Sequence, residues 1–144
     1  MKKSNKEILK ELNFLNKNTF ISFLKIKYID LGKNFLIAKM AIDQNKLQPI
    51  GFLHGGATLS LAESVSSSLS NINIDQKKFN IFNIEISANH IRKIKSGFIF
   101  AMAKIVYKGR RIHFLKTKIY NEKKDTISYC KMTNIIIPKI NDKN

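Results

Sequence analysis

Residues 51–71 contain no lysine, although lysine is the commonest charged residue of the chain. They open Gly51-Phe52-Leu53-His54-Gly55-Gly56-Ala57 and continue with serine, leucine and alanine, interrupted by the single acid Glu63. Small side chains dominate, and the leucines are spread around the helical circumference. A helix that is small or apolar all round is normally buried, and small side chains let its neighbours approach closely. Glycine and serine are poor helix formers, so burial must hold this helix where propensity does not. The rest of the chain has to be arranged around it.

At 144 residues the chain is long enough for one domain, spanning 1–144, that buries roughly 68–70% of its unfolded surface. Ser4 and Glu7 have capping-box spacing ahead of Ile8, Leu9, Leu12 and Leu15, which predicts a short amphipathic helix over about 5–16. From Phe20 the texture changes to β-branched and aromatic residues. Strands are expected over 20–30 and 35–42, forming a hairpin with Gly32 supplying the turn. Gln48-Pro49 breaks the chain before the small-residue helix. Beyond it, Phe82, Ile84, Ile86 and Ala88 alternate with polar partners, the period of a strand with one buried face. Residues 97–107, 112–121 and 126–137 follow as strands with short polar connections, which implies antiparallel neighbours. The fold class is therefore α+β, a curled antiparallel sheet of about six strands wrapped around a central helix, as in the hotdog architecture. One sheet covers only part of a helix, so the open side of 51–71 and the sheet edges predict a homo-oligomer.

Lysine and arginine total 26 against 10 acids, a net charge of +16. Only three are arginine: Arg92, Arg110 and Arg111. Lysine, isoleucine and asparagine are inflated together and share A/T-rich codons, so most of this charge reads as genome composition acting on a tolerant surface. Nucleic acid is disfavoured as a partner, because base readout relies on arginine's fork, although non-specific binding needs only lysine. No apolar run is long enough for a membrane helix, and the N-terminus lacks a signal peptide's apolar core. With the single cysteine Cys130, these features are those expected of a cytoplasmic domain. Three scattered histidines have no metal-ligand spacing, so no metal is expected. Gly-x-Ser-x-Gly and the P-loop Lys-Ser/Thr are both missing.

Glu63 is the only acid between Asp43 and Asp75. It is either a surface glutamate on one solvated stripe or a nucleophile or general base in a cleft. His54-Gly55-Gly56 stands where the helix begins. The glycines make a tight turn, or they open backbone N–H groups at the positive end of the dipole to an oxyanion. Ser67, one turn after Glu63, shares its face and serves packing or the site. Gln48 is either an exposed loop residue or one that orients water or a carbonyl. His90, Arg92 and Gly109-Arg110-Arg111 fall at strand ends or turns, as solvated charges or phosphate contacts.

Gln48-Pro49, Gly51-Phe52-Leu53-His54-Gly55-Gly56-Ala57, Leu61-Ala62-Glu63-Ser64 and Ser67 together resemble the signature of hotdog-fold acyl-CoA thioesterases. The similar branch is that of the 4-hydroxybenzoyl-CoA and 1,4-dihydroxy-2-naphthoyl-CoA thioesterases. Similarity extends through residues 85–92 and 109–111, and covers roughly 20–137. The resemblance implies that Glu63 attacks the thioester carbonyl or activates water, while the Gly55 N–H holds the oxyanion. It implies that His54 and Gln48 position thioester or water, and that Ser67 helps to place the carboxylate. Asn83, His90, Arg92, Gly109, Arg110 and Arg111 match positions lining the CoA or acyl site. The cleft is expected between two subunits of a homodimer or a dimer of dimers. No cofactor is expected, CoA being part of the substrate. An aromatic acyl-CoA, with 1,4-dihydroxy-2-naphthoyl-CoA of menaquinone synthesis as the specific expectation, is the implied substrate. The arginines at 110 and 111 depart from the small hydroxyl residue common in relatives. The rival readings are a hotdog dehydratase or isomerase, and a non-catalytic acyl-CoA- or nucleic-acid-binding module.

Overall fold

The computed structural model describes residues 2–140. Helix α1 (Asn5–Leu15) opens with a reciprocal cap: the Ser4 N–H donates to Glu7 at 2.7 Å, and the Glu7 N–H donates to Ser4 Oγ at 3.2 Å. A single turn, α2 (Phe20–Phe23), follows, then strands β1 (Lys27–Leu31) and β2 (Phe35–Ala41). Helix α3 (Gly55–Asn71) leads into β3 (Phe79–His90), β4 (Phe98–Lys108), β5 (Ile112–Asn121) and β6 (Thr126–Pro138). The six strands form one antiparallel sheet in the order β1-β2-β4-β5-β6-β3, curled round α3. This is the hotdog fold that the residue pattern predicts.

The core lies between α3 and the inner sheet face. Leu61, Ala62, Val65 and Leu69 of the helix meet Ala38, Met40, Ile99, Ala101, Ala103 and Ile119, all fully buried. Alanines on three of these strand positions leave room for the helix to approach closely. The buried serines of α3 have partners rather than empty space. Ser66 Oγ bonds Thr117 Oγ1 on β5 at 2.8 Å, and Ser70 Oγ accepts from Asn134 Nδ2 on β6 at 2.9 Å. Ser68 Oγ, half-exposed, bonds the Tyr28 hydroxyl of β1 at 2.7 Å. Polar contacts to three strands fix the rotation of α3 about its own axis, and so decide which side chains face outward.

Three expectations change. Residues 20–30 are not one strand, because Ser22 Oγ holds the Thr19 backbone across a helical turn, accepting the Thr19 N–H at 3.1 Å and donating to the Thr19 carbonyl at 2.8 Å. Lys25, at φ 58, ends that turn before the strand begins. Gly32 has no left-handed φ; the Phe35 ring instead packs over the space a Cβ there would take. The alternation of β3 fails at a bulge between Asn83 and Glu85, which leaves Phe82 and Ile84 exposed while Ile86 and Ala88 still pack inward. The open side expected of α3 is present: Glu63 is exposed, and Ser60, Ser64 and Ser67 are half-exposed.

Candidate functional site

The start of α3 is built from the loop before it. The buried Lys46 ammonium donates to the Ala41 carbonyl at 2.9 Å and to Asp43 Oδ2 at 2.7 Å. That hydrogen bond holds the Asp43 carboxyl below its ordinary range. The Lys46 carbonyl in turn accepts the His54 N–H at 2.8 Å, and Leu53 N–H donates to the Ile94 carbonyl at 2.8 Å. His54 thereby arrives at the N-cap, with φ −70 and ψ 132.

Capping accounts for nearly every donor in the first turn. Gly56 N–H donates to His54 Nδ1 at 2.8 Å, while Ala57 and Thr58 N–H donate to the His54 carbonyl at 3.0 and 3.3 Å. The Gly55 N–H, at the positive end of the helix dipole, has no partner among the described residues. Because Nδ1 accepts, the hydrogen-bond network assigns the ring proton of neutral His54 to Nε2.

A cleft of about 360 Å³ opens beside that N–H, between the loop and the end of β3. Gln48, Gly55, His90 and Arg92 all line it. His90 Nε2 lies against Gly55, 2.8 Å from where a Cβ would stand. Ser128 Oγ donates to the Asn89 carbonyl at 3.1 Å and so accepts from His90 Nδ1 at 3.1 Å, leaving Nε2 as an acceptor. At the mouth, the Lys93 and Lys95 ammonium groups lie 5.0 and 4.9 Å from the centre of the Phe52 ring. With Arg92 they make the entrance cationic, suited to a phosphorylated ligand.

Glu63 and Ser67 do not line this cleft. Glu63 stands eight residues beyond Gly55, about 12 Å along the helix. Arg110 and Arg111 are exposed at the β4–β5 turn, beyond the opposite end of α3, where Lys108 Nζ reaches Asn73 Oδ1 at 3.1 Å. Gly109 is held tightly there, since a Cβ would come within 2.7 Å of the Tyr107 ring. Asn83 shares its Nδ2 among the Glu85 and Thr133 carbonyls and Asn134 Oδ1 at 3.0–3.3 Å, supporting the β3 bulge. The chain therefore carries two separate groups, Gln48/Gly55/His90/Arg92 with His54 at one end of α3, and Glu63/Ser67 further along.

Lys46 and Ser128, which hold the loop and the His90 ring, were not singled out from the sequence. Lys46 looks like any other lysine there, and Ser128 lies 38 residues from the histidine it orients. Among the described residues, no group of three His, Cys, Asp or Glu side chains could hold a metal ion. Among the same residues, no helix is long and apolar enough to cross a membrane.

A family profile described as "Thioesterase superfamily" matches residues 50–128, more than half of the chain. The chain is 35% identical over 128 residues to a Pasteurella multocida protein carrying an esterase name, covering 89% of this chain and 91% of that one. It is 30% identical to the 1,4-dihydroxy-2-naphthoyl-CoA hydrolase of Escherichia coli over 129 residues, covering 90% and 94%. Among solved structures, a mutant thioesterase from Pseudomonas aeruginosa superposes with a TM-score of 0.89 at 30% identity, covering 91% of this chain and 94% of that one.

Proposed function

The chain belongs to the thioesterase superfamily, and on that premise we propose that it hydrolyses an aromatic acyl-CoA at a site shared by two copies of the chain. Thioester hydrolysis of an acyl-CoA follows from the family; the aromatic substrate and the shared site are the further steps. One observation carries the shared site. The Gly55 and Glu63 backbones are about 12 Å apart along one rigid helix, while an oxyanion donor and an attacking carboxylate must both lie about 3 Å from one carbonyl group. Two α3 helices packed antiparallel about a two-fold axis bring Glu63 of one copy opposite Gly55 of the other. The exposed side of α3 leaves room for this, and the unpaired edge of β3, with Phe82 54% and Ile84 58% exposed, supports a homodimer. Dimers pairing into a tetramer complete the proposed assembly.

In this reading the thioester carbonyl accepts the Gly55 N–H, which strengthens as negative charge develops on oxygen. Glu63 from the second copy attacks the carbonyl carbon or takes a proton from a water that does. The C–S bond then breaks and CoA leaves as the thiolate; where Glu63 itself attacks, water then hydrolyses the mixed anhydride, releasing the acid and regenerating the carboxylate. Water is the only co-substrate this chemistry requires, and no cofactor is called on. Gln48 and His54, through its free Nε2–H, position the thioester or the water, and Ser67 places the carboxylate. Arg92 and His90, with Asn83 and the turn Gly109-Arg110-Arg111 of the other copy, hold the CoA and acyl moieties. The Escherichia coli relative's name supports 1,4-dihydroxy-2-naphthoyl-CoA as the substrate, and with it a step in menaquinone synthesis.

Subunit mixing tests the shared site. Glu63→Gln and Gly55→Pro chains carrying different tags are co-expressed, and mixed dimers are purified through both tags. Each homodimer is inactive, whereas a mixed dimer retains one of its two sites and about half of the wild-type rate. Mixed dimers as inactive as both parents would place Glu63 and Gly55 in one copy and sink the arrangement. A panel of aromatic and aliphatic acyl-CoAs, followed by thiol release, then ranks the acyl group.

A further inference from the structure

Ser128 is fully buried, yet the histidine it touches is exposed. The contact exists because β6 is bulged. Ile119 of β5 pairs with Ser128 and Tyr120 with Thr126, which leaves Ile127 as an extra residue. Ile127 and Ser128 are both buried, although a regular strand sends consecutive side chains to opposite faces. The Ile127 carbonyl also accepts the Ile91 and Arg92 N–H groups, at 2.8 and 3.2 Å, and so ends β3 just beyond His90. Packing alone needs no hydroxyl at a site enclosed in this way. The Ser128 hydroxyl donates to the Asn89 carbonyl and turns a lone pair to His90 Nδ1. Its other neighbour, Cys130 Sγ at 3.9 Å, is a weak partner.

Which imidazole nitrogen carries the proton is set by the hydrogen bond the other makes. Ser128 therefore keeps the His90 proton on Nδ1 and a bare lone pair on Nε2, the opposite form to His54, whose Nδ1 accepts from Gly56. Nε2 lies 2.8 Å from where a Gly55 Cβ would stand, which puts it within roughly 5 Å of the Gly55 nitrogen. Arg92 and Lys93 follow His90 along the same wall of the cleft. An acceptor cannot stabilise an oxyanion; it calls for an N–H or O–H on the substrate. In an acyl-CoA the first amide N–H stands two methylenes beyond the sulfur, about 5 Å from the thioester carbon. The thiol arm has to run from Gly55 toward the cationic mouth, and His90 stands beside that path. We propose that Ser128 is a positioning residue for substrate recognition: it holds His90 as the acceptor of that amide N–H, so thioesters whose thiol arm carries the amide are preferred. This rests on thioester hydrolysis at the Gly55 N–H.

Matched thioesters test this by thiol release: S-benzoyl-N-acetylcysteamine, which keeps the amide, and the benzoyl thioester of mercaptoethyl acetate, in which oxygen replaces the N–H. Wild type should use the amide thioester about tenfold better in kcat/KM. In Ser128→Ala that preference should fall at least about threefold, through KM, with kcat on either substrate within about twofold of wild type. A merely structural role would lower turnover on both thioesters alike. Ser128→Cys, close in size and a weak acceptor, serves if the alanine variant does not fold. NMR of the labelled imidazole nitrogens reads the tautomer without any substrate, the His90 signal being assigned from His90→Gln. At about pH 8, where free imidazole is neutral, wild type should carry the proton on Nδ1, and Ser128→Ala should move it toward Nε2. The proposal is overturned by a wild-type proton on Nε2, by an unchanged tautomer in the variants, or by an amide preference that is absent or survives loss of the hydroxyl. Thiol release from no member of the acyl-CoA panel would overturn the hydrolysis, and the amide contact with it, while the spectrum would still decide whether Ser128 holds His90.

Discussion

The His90 imidazole fills the space that a side chain on Gly55 would need, its Nε2 2.8 Å from the position of that missing Cβ. The glycine that begins α3 and the histidine that ends β3 are thus fitted to one another beside a single free N–H. Gly55 occupies the first helical position, where proline is well tolerated, and the extended backbone of His54 suits a following proline. Gly55→Pro therefore removes the donor while leaving the helix able to form. Turnover should fall about 10²–10³-fold with secondary structure retained. Gly55→Ala keeps the N–H, so its smaller loss reports displacement of His90 alone. Equal turnover in the proline variant and wild type would remove Gly55 from the oxyanion role.

Glu63 is exposed and makes no hydrogen bond among the described residues. Glu63→Gln should leave protomer stability within about 0.5 kcal/mol of wild type, as for other surface substitutions. Its turnover should nonetheless fall by orders of magnitude if the carboxylate attacks or activates water. Thiol release and urea unfolding on the same preparation separate the two effects, and near-normal turnover would end the Glu63 mechanism.

Asn134 is fully buried and links α3, β6 and the β3 bulge, donating to Ser70 Oγ at 2.9 Å and accepting from Asn83 at 3.1 Å. Replacing it with leucine strands polar partners in the core. Asn134→Leu should lose about 1–3 kcal/mol in urea unfolding. A neutral result would show that Ser70 and Asn83 find other partners.

Stability should also depend on pH through His113. Burial, reinforced by the Lys108 charge, lowers its pKa from the ordinary 6.5. Between the lowered folded value and 6.5, the unfolded chain binds a proton that the folded chain does not. Stability therefore rises with pH across that window and declines as pH falls below 6.5. Thermal unfolding between about pH 5 and 8 should show this slope in wild type and a flatter profile in His113→Gln. The same slope in both proteins would assign it to other groups.

The central helix was legible because a small-residue, lysine-free stretch among lysine-rich segments has one economical explanation, burial. Short polar gaps between long β-rich runs likewise revealed antiparallel neighbours. The β3 bulge was invisible: Phe82 and Ile84 continue the alternation of Ile86 and Ala88 without a break, and only pairing with β6 shows the extra residue. The turn at Phe20–Phe23 was hidden for a related reason, its hydroxyl cap being weaker as a pattern than the aromatic run around it.

For the site, local chemistry went furthest where the residues are neighbours in sequence. His54-Gly55-Gly56 specifies a capped helix start with one open donor, because cap and glycines act within a single turn. Helical rise alone also fixes the distance from Gly55 to Glu63, and so the need for a second copy under the proposed chemistry. Tertiary structure decided that His90 meets Gly55 and that Ser128 orients its ring. Those relations depend on strand order and register, which are set by packing between residues far apart in the chain rather than by any local pattern.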